Sequence, residues 1–149
     1  MFVSSNISIK EATRSQTATR RGIDNLPNKE ALLKMKLVAD KIFEPVRKKF
    51  ERPILISSFY RCEELNKLIG GSPKSQHCKG EAIDIDSDPI NDQIFRFIKN
   101  NLIYDQLIWE FGNEVYPAWV HVSYTNERPN RMQCLKALRI KNKTIYQTF

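Results

Sequence analysis

Histidine, cysteine and long apolar runs are all scarce in this sequence of 149 residues. No run of about 18 apolar residues occurs, which argues against a transmembrane helix. Residues 1–6 lack the basic region and the apolar core of a secretory signal peptide. The three cysteines form no CxxC pair, which favours reduced thiols over a disulfide framework. We therefore expect the chain to be made and kept in a cytoplasm, unless something else releases it.

An excess of positive charge is the main feature of the composition. The 24 Lys and Arg residues against 17 Asp and Glu residues give a net charge of +7. This charge suits a solvated surface, or attraction to a polyanion such as nucleic acid or the acidic polymers of a bacterial envelope. No basic run is interleaved with aromatic residues in the manner of a nucleic-acid platform. We therefore expect neither a nucleic-acid partner nor a membrane partner.

The length and the absence of repeats predict one domain spanning residues 1–149. Within it, residues 1–27 are expected to be an N-terminal extension that wraps the core. We expect the protein to be a monomer.

The order of the predicted elements indicates the fold class. Residues 8–11 match a capping box that begins a short helix, whereas the polar residues 13–22 are expected to be irregular. Apolar residues at three- and four-residue spacing up to Phe50 predict an amphipathic helix, kinked or divided at Pro45. Further strands and helices are predicted as follows: strands at 53–58, 82–86, 106–111 and 118–124, and helices at 63–69 and from Asp88 onward.

The C-terminal residues 135–146 suit either a hairpin or a helix followed by a strand. Helices early in the chain and strands later, with short connections, predict an α+β fold. In this fold an antiparallel sheet has helices packed on one face.

The two histidines of the chain both lie in or beside predicted strands. His77 precedes Asp84 by seven residues, and Asp84 alternates with isoleucines on a strand. His121 lies on a second strand, facing away from its valine neighbours. Two imidazoles and a carboxylate can hold zinc and leave a fourth position open. The residues alone also allow a simpler interpretation, in which Asp84 caps a turn, His77 is a surface loop residue and His121 is an ordinary strand histidine.

A family resemblance favours the zinc interpretation. Residues 75–84 match the pattern SxHxxGxAxD, residues 58–61 read SFYR, and residues 119–123 read WVHVS. Together, from about Pro53 to Tyr124, they resemble the D-alanyl-D-alanine carboxypeptidase family of zinc peptidases. That family includes carboxypeptidases, dipeptidases and phage cell-wall endopeptidases, and it shares its fold with the hedgehog signalling domain. The chain resembles the compact phage-type members.

The resemblance implies roles for individual residues. Zn²⁺ would be held by His77, Asp84 and His121. Arg61 would hold a substrate carboxylate or carbonyl oxygen and stabilise the developing oxyanion, although on its own it also suits a surface salt bridge. Ser75 would bind the substrate or orient its loop.

The general base is the point at which the sequence departs from the family pattern. Many members carry Glu or Asp three residues before the last histidine, where this chain has Ala118. Glu110 is the preferred replacement, because alternation on its strand turns it away from Trp109 and Phe111. Glu114, in the following turn, is the alternative, and Glu110 also suits an exposed strand residue.

The implied function is hydrolysis of peptidoglycan stem or cross-bridge peptides, at a bond involving a D-amino acid. A phage-encoded enzyme, released at host lysis or carried in the virion, would explain how a chain without a signal peptide meets this substrate. The alternative is a non-catalytic zinc module that binds cell wall or serves as a structural part of a virion.

Overall fold

The computed structural model describes all 149 residues and has the predicted α+β organisation. In chain order the N-terminal elements are β1 (Phe2–Ser4), β2 (Ile7–Ser8), α1 (Ile9–Ala12), α2 (Gln16–Arg21), α3 (Lys29–Val38) and α4 (Glu44–Phe50). The central elements are β3 (Ile56–Ser58), α5 (Glu63–Leu68), β4 (Ala82–Ile85) and α6 (Asn91–Asn101). The last four are strands: β5 (Gln106–Glu110), β6 (Trp119–Ser123), β7 (Gln133–Ile140) and β8 (Lys143–Thr148).

A six-stranded sheet organises the second half of the chain, in the order β3-β4-β6-β5-β7-β8. Its strand pairs are antiparallel except for β5 and β7, which run parallel. The exception arises because residues 124–132 carry the chain from the end of β6 back past the start of β5. The N–H of Gln133 donates to the carbonyl oxygen of Asp105 at 3.0 Å, which fixes the start of β7 beside the start of β5.

The predicted amphipathic helix is present as α3 and α4, joined without a break by a π-helical segment at Ala39–Phe43. This segment ends two residues before Pro45. Proline has no N–H to continue the helical ladder, and the π-helical turn lies next to that defect. At the other end, the side chain of Asn28 accepts from the N–H of Ala31 at 2.8 Å and caps α3.

The N-terminal segment contains more regular structure than the sequence indicated. The capping box is confirmed, since the Ser8 hydroxyl accepts from the N–H of Glu11 at 3.1 Å. The prediction that residues 13–22 are irregular is wrong, because they include α2, capped by Ser15 and ended by Gly22 at φ 65°. A six-residue polar helix carries almost no hydrophobic periodicity, so only these caps could have revealed it.

The two faces of the sheet have opposite characters. Side chains on one face pack against the helices and are completely buried, as Val120 and Val122 of β6 and Ile83 and Ile85 of β4 show. The other face carries Asp84, His121 and Glu110, which the strand alternation places together. The helical layer therefore lies behind the sheet, and the opposite face is free to line a cleft.

Two turns close the hairpins of the sheet. Between β7 and β8, Lys141 and Asn142 both have positive φ (49° and 63°), as a tight two-residue hairpin turn requires. The C-terminal segment is therefore a hairpin, and the helical alternative is wrong. Between β5 and β6, Gly112 has φ 70°, and a Cβ there would collide with the carbonyl oxygen of Tyr116. No helix in the chain is both long enough and apolar enough to cross a membrane.

Candidate functional site

The three predicted metal ligands converge on the open face of the sheet. Pairing of β4 with β6 sets Asp84 directly opposite His121, with Nδ1 of His121 2.9 Å from Oδ1 of Asp84. His77 comes from a short 3₁₀ turn at Gln76–Lys79, and its Nε2 lies 3.3 Å from the same carboxylate oxygen. One donor atom from each residue lies within 4.8 Å of the other two.

The ring of His77 is held in the orientation that a metal ligand needs. Its Nδ1 lies 2.7 Å from the carbonyl oxygen of Phe59, to which it donates as N–H. That hydrogen bond leaves the lone pair of Nε2 directed at Asp84, in the arrangement by which a carbonyl fixes the tautomer of a ligating histidine. The ring is almost completely buried. It is therefore positioned before any ion arrives.

Gly80 makes the close packing of this loop possible. Its φ is 77°, in the left-handed region, and an added Cβ would lie 2.5 Å from the carbonyl oxygen of Ala31 in α3. Only glycine satisfies both conditions. The loop is thereby held against the helix, and Asp84 enters β4 facing the histidines.

The electrostatics of Asp84 favour a permanent negative charge. Burial alone would raise its pKa, but His77 and His121 outweigh that effect and hold the pKa well below the ordinary value. Two nitrogen donors and an ionised oxygen donor are a ligand set that suits Zn²⁺ and leaves room for one further ligand. The residues present therefore fit the predicted ion.

Glu110 lies on the same face of the sheet as these ligands, two residues along β5 from the position that pairs with His121. Ile108 pairs with His121 and Glu110 pairs with Trp119, so the carboxylate shares the face of the histidine. Its side chain makes no hydrogen bond or ion pair within the chain. Burial raises the pKa of Glu110 to about 7, with the charge of His121 acting against the shift and that of Asp84 adding to it. The carboxyl group can therefore both accept and release a proton near neutral pH.

The alternative base, Glu114, lies elsewhere. Its side chain is 87% exposed and forms an ion pair with Lys136 at 2.6 Å. It does not line the cleft that contains the histidines. Ala118, at the position where the family pattern has an acid, donates its N–H to the carbonyl oxygen of Glu110 at 2.9 Å. Glu110 is thus the cross-strand neighbour of that position.

Arg61 and Ser75 meet at the wall of the cleft. The guanidinium donates to Asn66, Ser58 and Ser75 over distances of 3.2 to 3.4 Å. It forms no ion pair with a carboxylate, so its charge remains available to a substrate. The Ser75 hydroxyl also accepts from the N–H of His77 at 3.3 Å, so it helps to orient the ligand loop.

Two groups of cleft residues were not anticipated from the sequence. At one end, the buried carboxylate of Asp105 binds both Arg128 and Arg131, at 2.6 and 2.8 Å, and also accepts from Gln76. At the other end, the rings of Phe111 and Trp119 pack with centroids 5.4 Å apart. The arginines lie in a loop without periodicity, so no sequence pattern could have placed them at the cleft.

The cleft itself has a volume of about 970 Å³ and runs between these two ends. Cys78 neighbours the ligand His77 in sequence and is partly buried. Burial raises the pKa of its thiol, although Arg61 acts in the opposite direction. A thiol with a raised pKa is less available as thiolate, so Cys78 is poorly suited to act as a nucleophile.

Comparison with known proteins identifies one family. The model of Peptidase M15 matches residues 5–123, which include every proposed ligand and Glu110. No curated protein matches the chain. Residues 124–149, including β7 and β8, lie beyond the matched region.

Proposed function

Since the chain belongs to the Peptidase M15 family of zinc-dependent metallopeptidases, we propose that it hydrolyses peptidoglycan stem or cross-bridge peptides at a bond involving a D-amino acid. One observation carries the proposal: His77, Asp84 and His121 converge in an open cleft beside a carboxyl group whose pKa is about 7. Both D-Ala-D-Ala carboxypeptidase and endopeptidase activities are compatible with a cleft of this size.

His77, Asp84 and His121 would hold Zn²⁺ through Nε2, a carboxylate oxygen and Nδ1 respectively. When bound, this ion supplies Lewis-acid polarisation of a scissile carbonyl and lowers the pKa of water. The histidines and Asp84 do not themselves exchange protons with the substrate in this scheme. Their task is to fix the position of the ion on a rigid part of the sheet.

Glu110 is the proposed general base and acid. Its carboxylate accepts a proton from the attacking water and then returns it to the leaving amine. A pKa near the working pH suits both halves of this cycle, since neither protonation state is strongly disfavoured. Burial produces that pKa, so the cleft wall around Glu110 is part of the mechanism.

Arg61 is the proposed substrate anchor. Its planar guanidinium can bind a substrate carboxylate or carbonyl oxygen and stabilise negative charge as it develops. Ser75, which contacts Arg61 at 3.4 Å, holds the guanidinium and the His77 loop in one arrangement. Support for the peptidoglycan substrate comes from the signature of the D-alanyl-D-alanine carboxypeptidase family and from a net charge of +7, which suits an acidic wall.

We further propose that the protein acts as a monomer, without a nucleic-acid or membrane partner. Delivery by a phage, at lysis or in the virion, would bring it to the wall. Ala118 in place of the usual acid is the observation that favours a second candidate, a zinc module that binds cell wall without cutting it.

The decisive experiment combines metal analysis with mass spectrometry of digested peptidoglycan. The purified protein should contain about one zinc ion per chain, and it should release new amino termini or D-alanine from sacculi. Zinc-loaded protein that sediments with sacculi but releases nothing would favour the binding module. Zinc-loaded protein that neither binds nor cleaves wall would remove both candidates.

A further inference from the structure

The C-terminal hairpin, which lies beyond the residues matched to the family, builds part of the cleft. In one cross-strand row, Trp119 pairs with Glu110, Glu110 with Ala137 of β7, and Ala137 with Tyr146 of β8. Paired residues point to the same face of a sheet. Tyr146 therefore stands on the open face, two strands from the proposed general base.

Ala137 is the reason why Glu110 and Tyr146 share one space. Its methyl group is completely buried although it lies on the open face, so the neighbouring side chains cover it. Tyr146 remains 54% exposed, and it lines the cleft together with Thr144 and Leu135. Burial and the negative charge of Glu110 both raise the pKa of the Tyr146 hydroxyl. The phenol is thus close enough to sense that carboxylate, and it stays protonated as a hydrogen-bond donor.

The chemistry assigned to Glu110 determines which part of a substrate must lie here. A group that returns a proton to the leaving amine must reach the nitrogen of the scissile bond. The residue that follows this nitrogen then lies on the Glu110 side of the metal ligands. Arg61 comes from a different part of the cleft wall, in the segment between β3 and α5.

We propose that Tyr146, with Thr144 and Leu135, forms the subsite for the amino-acid residue on the leaving side of the scissile bond. This inference rests on the proposed peptidase function. The subsite combines an exposed aromatic ring, two hydroxyl groups and an aliphatic side chain. Such a surface contacts the side chain of one peptide residue and can donate a hydrogen bond to its backbone or terminal carboxylate.

Two peptides that differ only in the leaving residue test the subsite. We would compare diacetyl-L-Lys-D-Ala-D-Ala with the same peptide ending in D-Leu, using the zinc-loaded wild type, Tyr146→Ala and Tyr146→Phe. Tyr146→Ala should change the ratio of the two kcat/KM values roughly tenfold, mainly through KM, because the leaving side chain loses its contact. Tyr146→Phe, which keeps the ring, should preserve most of the ratio.

Ile145→Ala provides the matched control. Ile145 is the neighbour of Tyr146 on β8, pairs with Leu138 and points to the opposite face. It should leave the ratio unchanged. If Tyr146→Ala lowers kcat/KM equally for both peptides, or has no effect on either, the subsite is wrong.

Binding measurements separate this inference from the proposed function. Calorimetry with Glu110→Gln, with and without Tyr146→Ala, should show that Tyr146 controls the difference in affinity between the two peptides. If the two peptides bind with equal affinity both to Glu110→Gln and to the variant that also carries Tyr146→Ala, or if neither peptide binds, the subsite is wrong. Peptides that bind with Tyr146-dependent selectivity, yet are never hydrolysed by the wild type, would instead count against the peptidase function.

Discussion

Asp84 and Glu110 are two carboxyl groups on the same face of one sheet, and they have opposite protonation behaviour. They are similarly buried, at 9% and 8% exposure. Asp84 contacts both histidines, which hold its pKa well below the ordinary value. Glu110 has no such contact, and burial raises its pKa to about 7.

The comparison shows that direct partners, and not depth of burial, decide what each carboxyl group can do. Desolvation penalises the charged form of both groups, and only at Asp84 do the two neighbouring histidines outweigh it. A carboxylate that is always ionised suits a metal ion, whereas one that titrates near neutrality suits proton transfer. Pairs of titratable groups with diverging pKa values mark the division of roles in many active sites.

Removing the charge of Asp84 should have the largest effect. A zinc-binding free energy on the order of 10 kcal/mol divided among three ligands gives roughly 3 kcal/mol each. Asp84→Asn should therefore weaken zinc binding by about 100-fold and abolish hydrolysis at limiting zinc. Competition with a chromophoric chelator measures the affinity. Asp86→Asn, two residues further along and exposed, is the matched control and should bind zinc as the wild type does.

Removing the proton-transfer group should reduce turnover while the metal remains. Glu110→Gln keeps the shape of the side chain, so kcat should fall by about 10²- to 10⁴-fold with an unchanged zinc content. Fixed-time assays with diacetyl-L-Lys-D-Ala-D-Ala measure kcat, and zinc analysis of the same sample measures the metal content. Glu114→Gln should keep full activity, and a large loss in that variant would assign the base to the turn instead.

The raised pKa of Glu110 should also appear in the stability of the metal-free protein. The carboxyl group binds protons more tightly when folded, with a pKa of about 7 against 4.5, so folding stability should fall as pH rises between these values. The loss at pH 8 is about 3 kcal/mol for a shift of this size. Glu110→Gln should remove it, so urea unfolding should find the variant more stable than wild type at pH 8 and nearly equal at pH 4. Equal stabilities at pH 8 would show that Glu110 is solvated.

The smallest expected effect concerns Arg61. Arg61→Lys keeps the charge but loses the fork of donors that contacts Asn66, Ser58 and Ser75. We expect kcat/KM to fall by roughly tenfold, mostly through KM, since the lysine cannot offer a substrate carbonyl oxygen the fixed fork of donors that arginine presents. Steady-state kinetics measure this change, with Arg96→Lys on the surface of α6 as the control. An unchanged KM would restrict Arg61 to orienting the loop.

The central strands of the sheet could be predicted because strand alternation is a local pattern, whereas the grouping of His77 with Asp84 and His121 was implied by the family resemblance. Residues two apart on β4 and β6 must share a face, so the sequence alone restricts where Asp84 and His121 can point. The placement of Glu110 followed from the same alternation. Its pKa did not, because desolvation depends on how distant segments close over the side chain.

Other features depend on connections that leave no local trace. The parallel pairing of β5 with β7 is set by how residues 124–132 pass the start of β5, and spacing in the sequence does not encode that path. Tyr146 could not be assigned to the cleft while the C-terminal segment was compatible with either a hairpin or a helix.

The β5–β6 turn limits which insertions and deletions this protein tolerates. Gly112 fixes the turn that brings Glu110 opposite Trp119. An insertion or deletion of one residue there would exchange the two faces of a strand, moving Glu110 towards the helices and Trp109 into the cleft. Such a chain would lose its core together with its site. Errors in this turn should therefore yield unfolded protein, degraded by cellular proteases, and no pool of folded but inactive enzyme.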